Sequence, residues 1–458
     1  MTPAENGAIL ETADRVRSGE ISPLELVREA KGRIEARNPT LNAYISVNSS
    51  AEEEARQLEV ELQAGQWRGP LHGIPISLKD IIDAEGMATT AGSKVFGEGR
   101  QAATDAALVE RLRASGAIVL GKTNLHEFAY GVTSENSHFG TVGNPWNAEL
   151  IAGGSSGGSA VSVATRMCFG SVGTDTRGSI RIPAACCGVT GFKPSLGKIP
   201  MDGVIPLSPT LDHAGPIARS VEDAAVLASI LCDDSSLEPF RFRFDPPPKL
   251  TLGICPYFLD RIDPEIEQAV WSAIDVLKQV GMVVKAVDIE KLADAIPAST
   301  VIASVEALCY HRQFLEEQQD GYGQNVFERL QTGRRHDAVD LAEAFFTRRK
   351  IGRVLAEVFE EVDCLVGATI PCLPPALGSS SIDVSGTEEG IVDALVRMNA
   401  AQNVAGVPAL SLPCGLSSAS IPLSLQLIAA SGKDQLLLRL GHFFQTVTDW
   451  HLQQPPHG

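Results

Sequence analysis

The chain has 458 residues, 44% of them apolar and 21% charged, a globular composition with enough material for a large core. Its formal net charge of −18 creates a field that repels phosphate backbones and anionic lipid heads, which disfavours a nucleic-acid or membrane-surface role. Nine cysteines, an odd number without a C-x-x-C pair, do not make a disulfide framework and read as reduced thiols in a cytoplasmic protein.

Taken in chain order, MTPAENGAILETADRV has no basic segment followed by a continuous apolar one, so export is not expected. No uninterrupted apolar run approaches the ~20 residues that span a bilayer. Ser22-Pro23-Leu24-Glu25 predicts a capped helix start. Asn42 to Val47 reads as a short strand, and 51–65 as an amphipathic helix. LHGIPISLKD is an apolar segment bounded by glycine and proline, a buried strand ending at Lys79. Residues 104–114 suit a helix closed by Ser115-Gly116, and Ala117 to Leu120 a buried strand. Between about 140 and 200, Gly, Ser and Thr dominate; that density implies close backbone approach or unusual dihedrals.

A surface connection is expected at 232–249, which ends in three prolines. LTLGIC, a helix from Asp263-Pro264 and MVVKAVDI make a β-α-β pattern. VDCLVGATI, PALSLPCG and IPLSLQLIAA supply strands before a last helix at about 434–446. The alternation predicts one α/β domain over 1–458. Its parts are N-terminal helices at about 5–65, a core at about 70–220, a helical excursion at about 300–360, and C-terminal strands with a helix at about 362–447. The N-terminal amphipathic helices pack either within the chain or across a dimer, so monomer and homodimer both stay open.

Three short pattern matches point elsewhere. Gly116-AIVL-Gly121-Lys122-Thr123 fits a phosphate-loop expression, but its four middle residues read better as a strand than as a loop with exposed N–H groups. Gly153-Gly154-Ser155-Ser156-Gly157 contains G-x-S-x-G, yet the strand signal before it is weak. Ser195-Leu196-Gly197-Lys198 matches S-x-x-K without its companion motifs. The nine histidines include no H-E-x-x-H, which gives a metal site little support.

Lys79, taken alone, is either a snorkelling surface residue or a buried amine with a lowered pKa. Ser155 lies in a glycine-serine tract, and Ser179 in GTDTRGSIR. Together, GIPISLKD, GGSSGGSA and GTDTRGSIRIPAACCGVTGFKP resemble the amidase signature family. The resemblance continues through GKTNLHEFAYG, FGTVGNPWN and NVAGVPALSLPCG in the same order, from about residue 70 to 445. Ser155 and Ser179 stand 24 residues apart, in register with the family pattern.

The resemblance implies the family's fold, a central twisted mixed β-sheet flanked by helices, and hydrolysis of an amide C–N bond. Its catalytic lysine falls on Lys79, its bridging serine on Ser155 and its nucleophile on Ser179; the family's cis peptide falls on Gly154-Ser155. A serine hydroxyl needs a base within reach, and a desolvated lysine supplies one through a second hydroxyl. No histidine, metal or cofactor enters that relay. Backbone N–H groups of Thr176, Arg177, Gly178 and Ser179 are the expected oxyanion donors. Ser156, Thr174, Asp175 and Arg181 are expected to support the serine network, Arg181 as a structural guanidinium.

Ala129, Tyr130 and Gly131 should wall the substrate pocket, and a loop at 378–403 should shape it, with Met398 and Gln402 as contacts or as core residues. One departure concerns Arg177, which stands where the family usually has glycine: its side chain either points into a polar network or contacts a carbonyl or anionic part of the substrate. The expected partner is a small-molecule amide, carbamate or ester. The amidase subunit of a tRNA-dependent amidotransferase and a catalytically dead scaffold are the alternatives.

Overall fold

In the computed structural model, which describes residues 8–238, 249–289 and 291–456, the first helices start where the sequence caps them. Helix α1 spans Ile9–Arg17 and α2 spans Pro23–Leu41. Ser22 Oγ accepts the Glu25 N–H at 3.1 Å, and the Glu25 carboxylate accepts the Ser22 N–H at 2.8 Å, satisfying two donors that a helix start leaves open. Strand β1 (Tyr44–Val47) and α3 (Ala51–Gln63) follow. Strand β2 (Pro75–Lys79) is buried along its whole length.

A small pair, β3 (Ala88–Thr89) and β4 (Arg100–Gln101), and α4 (Ala107–Ala114) lead into β5 (Ile118–Thr123). The phosphate-loop match is therefore strand. Its Lys122 is fully buried, with Nζ 3.0 Å from Asp80 Oδ1.

The glycine-rich centre folds as α5 (Gly157–Ala164), β6 (Gly170–Asp175), α6 (Arg181–Cys187), β7 (Thr190–Lys193), β8 (His213–Ala218) and α7 (Val221–Cys232). Close backbone approach accounts for its composition. A Cβ on Gly158 would lie 2.4 Å from the carbonyl oxygens of both Ala43 and Asn124, so only glycine lets α5 dock there.

The expected β-α-β unit is present as β9 (Thr251–Ile254), α8 (Pro264–Gln279) and β10 (Val283–Ala286), with Asp263 capping the helix. Helices α9 (Ala295–Glu317), α10 (Gln324–Thr332) and α11 (Ala338–Glu361) form the helical excursion. Then come β11 (Cys364–Ala368), β12 (Ser381–Val384), β13 (Thr387–Gly390), α12 (Ile391–Arg397), α13 (Ala400–Ala405), β14 (Ala409–Leu416), β15 (Pro422–Ile428) and α14 (Asp434–Thr446). The stretch Leu292–Glu317 is long and apolar enough by composition to cross a membrane, but Ile302, Ala303 and Ala307 on it are packed into the core.

Eleven strands join in one mixed sheet, in the order β1-β5-β2-β6-β8-β7-β14-β15-β11-β9-β10. Strand β2 runs parallel to both neighbours, β5 and β6. Helices cover the sheet, giving the single α/β domain that the alternation predicts.

Two expectations need correction or fall away. The stretch 378–403 is not a loop. Strands β12 and β13 form an antiparallel hairpin, turned by Ser385 and Gly386 at φ 52° and 81°, and α12 and α13 complete it. Its strands are too polar to show a buried-strand pattern, because β13 is exposed along nearly its whole length. The connection at 232–249 begins as a helical turn at Ser235–Leu237, and its 239–248 portion lies outside the described residues.

The C-terminal half is tied to the glycine-rich centre by Arg181, a fully buried guanidinium. It donates to both carboxylate oxygens of Asp175 at 2.9 Å, to Gln426 Oε1 on β15 at 2.7 Å and to Asn403 Oδ1 on α13 at 2.6 Å. Removing it strands a buried carboxylate. Arg181→Ala should lower the unfolding free energy by about 3–5 kcal/mol, read as a lower urea midpoint; an unchanged midpoint would contradict this role.

Candidate active site

Three segments distant in sequence meet at the C-terminal ends of the parallel strands β2 and β6, the edge where open α/β sheets place ligands. Strand β2 delivers Lys79, the turn after β6 delivers Ser179, and the segment entering α5 delivers Ser155 and Ser156. Lys79 and Ser155 are fully buried, while Ser179 keeps 7% of its surface exposed. The Gly154-Ser155 peptide is cis.

Lys79 Nζ donates to Ser155 Oγ at 2.7 Å and to Thr174 Oγ1 at 2.8 Å. Burial lowers its pKa to about 7, against the opposing pull of Asp212 and Asp175. The Ser156 N–H donates to the Ser179 carbonyl at 3.2 Å, and Ser156 Oγ donates to the Thr174 carbonyl at 3.1 Å. On its other side, the Ser155 carbonyl accepts the His126 N–H at 3.2 Å and the Ser134 hydroxyl at 3.3 Å. The strand end, the serine pair and the Ser179 turn are thus braced against one another.

Asp175 organises the turn. Burial alone would raise its carboxyl pKa, but Arg181 beside it holds the group well below the usual carboxylate range. Its oxygens accept the N–H groups of Gly178 at 2.7 Å and Ile180 at 3.2 Å, and Asn403 Nδ2 at 2.9 Å. This corrects one expectation about the oxyanion donors. The Gly178 N–H is already taken by Asp175, whereas no acceptor among the described residues takes those of Thr176, Arg177 and Ser179. Gly178 is needed for its shape: at φ +119°, an added Cβ would lie 2.8 Å from Asn399 Cβ and from Ile182 Cδ1.

A small cavity opens onto Ser179. Ala129, Tyr130 and Gly131 form one side of it, and Val392 and Val396, one turn apart on α12, face it from another. Met398 and Gln402 are not on its wall. Met398 lies past the end of α12 and is fully buried, and its carbonyl accepts the amides of Gln402 at 3.0 Å and Gln426 at 3.1 Å. Both are core residues. Arg177 lines the cavity, and its guanidinium donates to Thr300 Oγ1 at 2.9 Å.

Sequence reasoning missed several residues here. Asp212 accepts Thr176 Oγ1 at 2.6 Å and the Leu207 and Ser208 N–H groups at 2.9 Å; burial raises its pKa to about 6. The acid in the apolar run LDHAGPI was the available signal. Glu127 accepts Ser93 Oγ at 2.5 Å, the Gly323 N–H at 2.9 Å and pairs with His138 Nε2 at 3.2 Å. It braces Phe128 and Ala129, both at positive φ, in the wall beside Ser179. Arg329 on α10 reaches the cavity from far along the chain, and nothing in its local sequence marks it.

The family model described as Amidase matches residues 25–438. The chain belongs to the amidase family. It is therefore an enzyme of the class that acts on amide carbon–nitrogen bonds.

Over 97% of both chains it is 36% identical to the A subunit of the glutamyl-tRNA(Gln) amidotransferase of Thiobacillus denitrificans. The corresponding protein of Methylobacillus flagellatus is 34% identical, over 98% of this chain and 99% of that one. Among solved structures, an amidase crystal structure superposes with a TM-score of 0.89 at 34% identity, covering 96% of this chain and 99% of the other. A 6-aminohexanoate cyclic dimer hydrolase, complexed with substrate, has a TM-score of 0.88 at 28% identity over the full length of both chains.

The space around Gly178 gives a direct test of the amidase turn. Gly178→Ala should displace Ser179 and cut kcat by about a hundredfold while the far-ultraviolet circular dichroism stays native. Full activity in that variant would show that the turn tolerates a Cβ.

Proposed function

We propose that the chain hydrolyses a small-molecule carboxamide through a covalent acyl-enzyme at Ser179. The observation that carries this reading is the 2.7 Å hydrogen bond from a buried Lys79, with a pKa near 7, to the Ser155 hydroxyl. A neutral Lys79 takes the Ser155 proton as Ser155 takes that of Ser179, and the Ser179 oxygen bonds to the carbonyl carbon. The N–H groups of Thr176, Arg177 and Ser179, without an acceptor among the described residues, are the donors open to the oxyanion. Ser155 then protonates the leaving nitrogen, the C–N bond breaks, and water releases the acid by the reverse relay.

Carbamates and esters carry the same electrophilic carbon, so urethane or ester cleavage is a variant of this reading. A second reading follows from the full-length likeness to the amidotransferase relative, whose name would give this chain partner proteins and a tRNA-linked reaction. Glutaminase activity together with co-purifying partner proteins would favour it.

Treatment with a sulfonyl fluoride should modify Ser179, and Ser179→Ala should abolish turnover; labelling elsewhere with activity retained would sink the mechanism. The base works only when neutral, so kcat/KM should rise with pH up to about 7 and fall about tenfold per unit below it. Asp212 favours the ammonium form of Lys79, so Asp212→Asn should move that midpoint to lower pH. An unmoved midpoint would remove Asp212 from the control of Lys79.

A further inference from the structure

The cavity that opens onto Ser179 is lined by two arginines and, among the described residues, by no Asp or Glu: Arg177 comes from the turn of Ser179 and Arg329 from α10. Each arginine spends part of its hydrogen-bonding capacity within the protein, Arg177 on Thr300 Oγ1 and Arg329 on the Tyr130 carbonyl. A guanidinium has five N–H donors, so both keep donors to spare. Neither forms an ion pair among the described residues. Asp393 is the acid that Arg177 feels, and it lies outside the wall.

Burial and the charge of Arg177 both work against the charged form of Arg329, against the opposing pull of Tyr130. Two half-buried cations facing one volume are relieved by an anion between them, and a planar carboxylate matches the guanidinium fork. The remaining wall is apolar at Val132, Leu207, Val392 and Val396, which suits a short methylene chain.

We propose that the substrate is a short amide whose acyl part ends in a carboxylate and carries no ammonium group, with Arg177 and Arg329 binding that carboxylate. This rests on the amide-hydrolase reading above and narrows it. The acyl part stays bonded to Ser179 while the amine departs, so the cavity around Ser179 belongs to it. An α-ammonium group would enter the same volume as two arginines with no acid on the wall to receive it. Hydrolysis of glutaramate would break its C–N bond, add the elements of water and release glutarate and ammonia.

The test compares glutaramate, the uncharged pentanamide and L-glutamine as substrates of the wild-type protein. Expected is a kcat/KM for glutaramate about ten- to a hundredfold above either of the others, the worth of a charge-assisted contact. Arg177→Gln and Arg329→Gln should each lower the glutaramate-to-pentanamide ratio about tenfold. Equal use of pentanamide, or better use of L-glutamine, would overturn the proposal and leave amide hydrolysis standing.

If no amide is cleaved, the hydrolase reading fails and calorimetry with glutarate still decides the carboxylate. Binding that weakens about tenfold or more in Arg177→Gln supports it, and no binding to the wild type refutes it. Should the variants not fold, the wild-type substrate order settles the matter alone.

Discussion

The buried pair of Asp175 and Arg181 is the constraint on which the rest of the site depends. Neither group touches water, so each needs the other, and the geometry that satisfies both also sets the turn between them. Asp175 ends β6, Arg181 opens α6, and the residues in between are the turn that holds Ser179. The same carboxylate takes the N–H groups of Gly178 and Ile180, while the guanidinium reaches Gln426 and Asn403. One ion pair thus shapes the turn, selects which backbone donors stay free, and ties both halves of the sheet together.

Lys79 illustrates the opposite use of burial. It has hydroxyl partners in place of a carboxylate, so desolvation is only partly offset and its pKa falls to about 7. The nearby Lys122, equally buried, has the Asp80 carboxylate at 3.0 Å. Of two buried lysines on adjacent strands, one is therefore held by a counter-charge and the other is left to hydroxyl groups through which a proton can pass. Asp212 stands between these cases. It biases Lys79 from a distance while its hydrogen bonds hold Thr176 and Leu207 at the cavity edge.

The cavity is assembled from segments that share no local pattern. Glu127 fastens the wall at Phe128 and Ala129 to the start of α10, and α10 in turn carries Arg329. The α12 helix adds Val392 and Val396 from a stretch that reads as a loop. Most of the cavity wall is thus borrowed from segments other than those that carry Lys79, Ser155 and Ser179.

The sequence by itself determined the fold class, the family and the capped helix starts, because those depend on short-range pattern and on long motifs that occur in order. Capping at Ser22 needs only its own four residues, and the strand ending at Lys79 needs only an apolar run with punctuation. Tertiary structure alone decided that Gly178 gives its N–H to Asp175, that Met398 and Gln402 belong to the core, and that Arg329 lines the same cavity as Arg177. Each of these is a contact between a side chain and a partner brought near by folding. Residue type states what a group can bind; only the packed chain states which partner is within reach.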